Sequence, residues 1–161
     1  MALRAQFLDA MSSLVSSVSI VTTDGIVGSG GATVSAMTSV SADGDWPTLL
    51  LCLNAQSIAA SKVLENKCFC VNVLETEQVE IANVFAKRSS ETSEDKFENA
   101  EFITLETGAP ALCAALAVFD CTLRSWEQIG THYVILGDVK AIENHSGAPL
   151  LYGQRAYQKL G

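Results

Sequence analysis

Residues 31–54 read GATVSAMTSVSADGDWPTLLLCLN, and this stretch decides the fold. In its first half Ala32, Val34, Ala36 and Val40 alternate with mostly hydroxyl-bearing residues, which predicts a half-buried β-strand. The second half is apolar on both faces, as in a strand that is covered on both sides. We therefore expect two strands of a sheet, separated by the turn residues ADGD.

The first of these strands carries hydroxyls and small side chains where a closed core would carry branched apolar ones. Small residues leave room for a flat ligand, and hydroxyls and strand-end amides can bind its polar edge. The same pattern is equally typical of an outward strand face that contacts only water. Both interpretations stay open at this point.

The composition predicts one domain over residues 1–161. The chain is 48% hydrophobic and 17% charged, which excludes a disordered protein and leaves enough apolar surface for a homodimer. A net charge of −8 excludes nucleic-acid binding, because ten scattered basic residues cannot replace the counterions of a phosphate backbone. No apolar run reaches the roughly 18 residues of a membrane span, and residues 1–5 do not resemble a signal peptide. We therefore expect no membrane partner and a cytoplasmic location.

Five cysteines stand at positions 52, 68, 70, 113 and 121, each inside an apolar run and none in a Cys-x-x-Cys pair. They are expected to be reduced, buried residues. The alternative is a metal site. It is not supported, because His132 and His145 do not pair with a cysteine or carboxylate at ligand spacing.

Hydrophobic periodicity predicts helices over residues 2–17, 58–66 and 77–86, with Ser57 as the N-cap of the second. Strands are predicted over residues 18–23, 31–41, 46–54, 69–74, 102–105, 112–127 and 132–142. The polar run 87–95 is expected to be exposed. Many strands, few helices and short turns predict a mostly β fold, a small antiparallel barrel with peripheral helices.

No constellation of catalytic side chains can be assembled from this sequence. It has two histidines, no Gly-x-Ser-x-Gly motif, no Walker loop and no paired carboxylates in an apolar setting. If the protein is an enzyme, a cofactor carries the reaction while the protein supplies binding and orientation.

Six short motifs follow one another along nearly the whole chain. They are IVTTDG at 20–25, TVSAMTSVS at 33–41, PTLLLCLN at 47–54, FCVNVL at 69–74, GTH at 130–132 and YGQRAY at 152–157. Together they resemble the small flavin reductases that supply reduced flavin to two-component monooxygenases. The resemblance implies an antiparallel split β-barrel (the FMN-binding split barrel), a homodimer, and NADH- or NADPH-dependent reduction of FMN or FAD for a partner monooxygenase.

The resemblance also implies which residues bind the two cofactors. The flavin ring and ribityl chain would lie along Thr33, Val34, Ser35, Ala36, Ser39, Val40 and Ser41. The phosphate side would be held by Leu53, Asn54 and Ser57, and the phosphate or adenine end would lie near Ala82 and Phe85. The turn Gly130, Thr131 and His132 would bind nicotinamide. No catalytic side chain is implied, because the hydride passes from nicotinamide to flavin N5.

Two departures from the family pattern concern this site. Thr131 stands where the family often has Asp, and Ala59 stands where relatives tend to place a second hydroxyl near the phosphate. Apart from the resemblance, the favoured interpretation of His132 is a hairpin residue bonded to backbone. Two other functions stay open: a flavoprotein that keeps its FMN and reduces a corrin or metal chelate, and a flavin-binding module without catalysis. NADH is favoured over NADPH, because no arginine cluster is present for a 2′-phosphate.

Overall fold

The computed structural model of the chain describes residues 2–87 and 96–161, so most of the polar run 87–95 lies outside the described residues. Within them the helices are α1 (Ala2–Ser12), α2 (Ile58–Asn66) and α3 (Val79–Ala86). The strands, in chain order, are β1 (Val15–Ser17), β2 (Ser19–Thr23), β3 (Gly30–Val34), β4 (Met37–Ser41), β5 (Thr48–Asn54), β6 (Cys68–Val73), β7 (Phe102–Thr104), β8 (Pro110–Leu112), β9 (Ala117–Ile129), β10 (His132–Asn144), β11 (Leu151–Gly153) and β12 (Ala156–Gln158).

The main sheet has seven antiparallel strands in the order β3-β2-β6-β9-β10-β5-β4. Its longest hairpin, β9 and β10, turns at Gly130 and Thr131, close to the predicted connection. Two smaller sheets have the orders β1-β11-β12 and β7-β8. Buried side chains form two apolar clusters, one around Ile20 and Phe85 and the other around Val21 and Phe69. The prediction of a mostly β, antiparallel fold with peripheral helices is confirmed.

The predicted single strand over residues 31–41 is wrong, because the chain leaves the sheet at Ser35 and Ala36. On either side of this break, β3 lies at one edge of the main sheet and β4 lies at the other. Two linking residues span at most about 10 Å. The two edges must therefore lie close together, and the sheet curls into a barrel. β3 contacts β5 without pairing with it, which leaves an opening between these two strands.

Two helices line this opening. α2 packs on β2 and β3, and α3 packs on β3. α2 spans the predicted residues, whereas α3 begins two residues later than expected. Their inward faces bury Val63 and Phe85.

The first helix differs most from its prediction. α1 ends at Ser12 instead of residue 17, because residues 15–17 pair with β11 as strand β1. None of its residues is buried, and Leu3 and Phe7 remain 79% and 62% exposed. No helix in the described part of the chain is long and apolar enough to cross a membrane.

Two buried polar side chains tie loops to the main sheet. The Asn72 amide donates to the Ile20 carbonyl at 3.0 Å, and its oxygen accepts from the Leu112 N–H at 2.8 Å, which joins β6 to β2 and β8. Asp120, which is fully buried, accepts from the N–H groups of Glu106 and Thr107 at 2.7 and 2.8 Å. These bonds fix the β7–β8 connection against β9.

Candidate functional site

A cavity of about 620 Å³ occupies the opening of the barrel. This size is within the range of small-molecule and cofactor sites. Four segments line the cavity together with Lys96 and His132: β3 with the break that follows it, the end of β5 and its connection to α2, the start of α2, and the end of α3. The lining residues are Gly31, Ala32, Thr33, Val34, Ser35, Ala36, Cys52, Leu53, Asn54, Gln56, Ser57, Ile58, Ala59, Phe85, Ala86, Lys87, Lys96 and His132.

Beside β3, the cavity wall is formed where the backbone of Gly31 closely approaches the ring of Phe85. A Cβ atom built on Gly31 would lie 2.5 Å from Cε1 and 2.7 Å from Cδ1 of Phe85, so only glycine fits there. Phe85 is held in turn by the edges of Phe97 and Phe102, with ring centroids 5.3 and 6.2 Å away. The ring therefore forms a fixed part of the cavity wall.

The end of β5 leads directly into α2, and residues of both elements line the cavity. Asn54 Oδ1 accepts from the Gln56 N–H at 2.9 Å, and the Asn54 carbonyl accepts from the Ser57 N–H at 2.9 Å. Ser57 is the N-cap residue of α2, as predicted, but its hydroxyl makes no capping hydrogen bond. Ser57, Ile58 and Ala59, at the start of α2, line the cavity, and the start of a helix favours an anionic group.

Among the described residues that line the cavity, the charged side chains are basic, whereas the chain as a whole is acidic. Its lining includes Lys87, Lys96 and His132, and no aspartate or glutamate is among the described lining residues. The chain as a whole has 18 acidic and 10 basic residues. Lys96 Nζ is positioned by two carbonyl acceptors, Lys87 O at 3.0 Å and Gly31 O at 3.4 Å. The arrangement is therefore suited to a ligand that carries negative charge.

The β9–β10 turn brings His132 to the mouth of the cavity. Gly130 has φ +58°, which the tight turn requires, and the Thr131 carbonyl accepts from the Ala55 N–H at 2.9 Å. The Thr131 hydroxyl lies 2.9 Å from Nδ1 of His132, and the tautomer of the ring decides which of the two donates. The turn is thus fixed to the end of β5, and the imidazole is held by its neighbour.

The structure brings most of the predicted binding residues to one place. Nine of them line the cavity: Thr33, Val34, Ser35, Ala36, Leu53, Asn54, Ser57, Phe85 and His132.

Six other predicted residues lie outside the lining. Ser39, Val40 and Ser41 are exposed on β4, at the far side of the break in residues 31–41. Ala82 is fully buried behind the wall, where its carbonyl accepts from the Thr33 hydroxyl at 2.6 Å. Gly130 and Thr131 form the turn beside His132.

Sequence reasoning missed several lining residues, among them Lys87, Lys96, Cys52 and Gln56. Both lysines flank a polar run that was interpreted only as surface. The available signal was a pair of basic residues around that run in an otherwise acidic chain. Cys52 belongs to β5, whose apolar pattern gave no indication that one residue faces a cavity.

Comparison with known proteins identifies the class. The family described as "Flavin reductase like domain" matches residues 11–161, and the chain belongs to this family. The predicted resemblance is therefore confirmed.

Two proteins with similar sequences or structures and one more distant relative illustrate the class. The chain is 41% identical over 155 residues to "FMN reductase (NADH) RutF 2" of Methylorubrum extorquens (strain PA1), covering 96% of this chain and 88% of that protein. It is 38% identical to a candidate flavin reductase of Haemophilus somnus 129pt, with a TM-score of 0.90 and 97% and 98% of the two chains covered. BorF, the flavin reductase component of a bacterial two-component tryptophan halogenase, is 29% identical, with a TM-score of 0.85 and coverage of 99% and 96%.

Proposed function

We propose that this protein transfers a hydride from NADH to FMN or FAD bound in the cavity between β3 and β5, and releases the reduced flavin to a partner monooxygenase. The observation that carries this proposal is the cavity itself. Small side chains and backbone line one side of it, and its lysine side chains suit the phosphate of a flavin nucleotide. Membership in the flavin reductase family and the NADH named for the Methylorubrum relative support the same reaction.

The residues present fit a flavin nucleotide. Ala32, Ser35 and Ala36 leave space for a flat ring along β3, with Phe85 as a rigid boundary. At the other end, Ser57 and the first amides of α2 would hold the phosphate together with Lys96. Riboflavin, which lacks the phosphate, would lose these contacts and bind more weakly.

The flavin supplies the chemistry, by accepting a hydride at N5. The protein has to hold the nicotinamide donor against the flavin at about 3 to 3.5 Å, the distance of a near-attack conformer. His132, fixed at the mouth of the cavity by Thr131 and the β9–β10 turn, would position that donor. Covering the ring with nicotinamide also removes water from the reacting face.

A homodimer is part of the proposal. α1 buries none of its residues within the chain, and Trp126 and Ile129 on the β9–β10 hairpin are 49% and 60% exposed. Apolar surface of this extent is typical of an interface between protein copies. A cytoplasmic location would agree with the supply of NADH. Sedimentation equilibrium tests the dimer directly.

Steady-state oxidation of NADH and NADPH, with FMN, FAD and riboflavin titrated in turn, tests the reaction. We expect NADH oxidation that requires flavin in substrate quantities, with the lower KM for the phosphorylated flavins. His132→Ala should raise the KM for NADH severalfold and leave the flavin KM unchanged, while His145→Ala, at an exposed histidine away from the cavity, should change neither. Protein that retains flavin through gel filtration and ignores added flavin would contradict the diffusible-flavin function.

A further inference from the structure

A second groove of about 580 Å³ is lined by Asp24, Ser29, Phe97, Phe102, Ile103, Thr104, Gly108 and Pro110. Its lining and that of the cavity come within one or two residues of each other at two points of the chain. Ser29 lines the groove while Gly31 lines the cavity, and Phe97 lines the groove while Lys96 lines the cavity. Two residues of chain span at most about 7 Å. The groove and the cavity therefore lie within reach of one extended ligand.

Two ammonium groups lie at this junction. Lys62 Nζ donates to the Ser29 carbonyl at 2.7 Å, and Lys96 Nζ donates to the Gly31 carbonyl at 3.4 Å. Carbonyls two residues apart point to the same side of an extended chain. The two positive charges therefore lie beside the stretch of chain that joins Ser29 of the groove to Gly31 of the cavity, in a protein whose net charge is −8.

The groove itself combines an aromatic wall with polar acceptors. The rings of Phe97 and Phe102 pack edge to face with centroids 5.0 Å apart, and Ile103 beside them is 46% exposed. Asp24 and Thr104 are also among the lining residues. A planar base suits the apolar wall, and a carboxylate is a common acceptor for ribose hydroxyls.

We propose that this groove holds the adenosine half of FAD, with Lys62 and Lys96 beside its pyrophosphate. The proposal rests on the proposed function, because it places the flavin ring of the same molecule in the cavity. FMN ends at its single phosphate, near Lys96, and does not extend to Lys62. Lys62 is therefore a specificity-determining residue that distinguishes FAD from FMN.

The test compares Lys62→Met with Lys159→Met, a matched substitution at a lysine paired with Glu77 on the surface. We expect Lys62→Met to raise the KM for FAD about fivefold, as the loss of a partly exposed charge contact does. The KM for FMN and for riboflavin should stay unchanged. Lys159→Met should leave all three values unchanged.

A second pair of variants tests the groove without removing a charge. Ser29→Trp fills the groove, and Ser146→Trp places the same side chain on an exposed bend. Dissociation constants measured by calorimetry without NADH should rise about tenfold for FAD in Ser29→Trp, the effect of losing a well-packed subsite, and not at all for FMN. Ser146→Trp should alter neither constant.

The outcomes separate this proposal from the proposed function. The adenosine site would be overturned if the Lys62 and Ser29 variants bound FAD and FMN more weakly by equal factors, or if their affinity for FAD did not fall. Absence of flavin-dependent NADH oxidation by the unmodified protein would overturn the reductase function, while the calorimetric comparison would still decide whether the groove binds FAD.

Discussion

Replacing Gly31 by alanine perturbs the cavity wall at a single, well-defined contact. The added Cβ would lie 2.5 and 2.7 Å from two carbons of the Phe85 ring and 3.3 Å from the Val21 carbonyl oxygen. Carbon atoms in contact prefer about 3.5–4.0 Å. The ring must therefore retreat by roughly 1 Å. Because Phe97 and Phe102 hold its other side, it has little room to do so without deforming the cavity.

Two quantities should change in Gly31→Ala. Overpacking of this kind costs about 1–3 kcal/mol of unfolding free energy, which urea denaturation measures. Misplacement of a binding wall by about 1 Å should also raise the flavin KM roughly tenfold or more.

Gly137→Ala is the matched control, because its Cβ would lie 2.5 Å from Phe69 in the other apolar cluster. We expect it to lose a similar amount of stability while the flavin KM stays unchanged. The reasoning would be refuted if Gly31→Ala lost stability without any change in flavin KM, or if Gly137→Ala raised the flavin KM equally.

Three further predictions concern groups buried in or beside the sheet. Asp120→Asn should lower the unfolding free energy by about 3 kcal/mol, because one amide oxygen cannot accept all the hydrogen bonds that the buried carboxylate accepts. A loss below about 1 kcal/mol in urea denaturation would contradict the role of these hydrogen bonds. Ser19→Ala should raise the unfolding free energy by about 1 kcal/mol, since the buried Ser19 hydroxyl has no hydrogen-bond partner within the described residues; an unstable variant would show that the hydroxyl is satisfied. Burial raises the pKa of the Cys70 and Cys121 thiols, so both should stay protonated and unreactive toward a thiol reagent in the folded protein near pH 9. Cys52 lines the cavity and should react with the same reagent, and bound FMN should slow that reaction.

The sequence predicted elements whose signals are local. α2 was predicted at its observed residues, because its cap and its apolar spacing are both contained within a short stretch of chain. The β9–β10 hairpin was predicted for the same reason, since two alternating runs meet at Gly130 and Thr131.

The break at Ser35 and Ala36 was not predictable in this way. The small and hydroxyl-bearing residues of 31–41 continue on both sides of it, and the chain leaves the sheet because β3 and β4 occupy opposite edges of a curled sheet. Edge positions depend on the pairing of all seven strands, which no single window of sequence contains. For the same reason Ser39, Val40 and Ser41, which share a motif with the cavity residues, lie on a different strand outside the lining.

Lys96 shows what sequence patterns omit from a site. Its position follows from hydrogen bonds to the carbonyls of Gly31 and Lys87, and backbone acceptors cannot be recognised from composition or residue spacing.

α1 shows the converse. Its helical pattern is correct, but its apolar face is exposed in the single chain, because periodicity predicts that a face is buried without saying whether the same chain buries it.

A crystal structure of the protein with FMN tests the central claim most directly. We expect the flavin ring between β3 and the end of β5, in contact with residues 33–36, and the phosphate at the start of α2 beside Lys96. Flavin bound elsewhere on the protein, with this cavity filled by its own side chains or by water, would contradict the account.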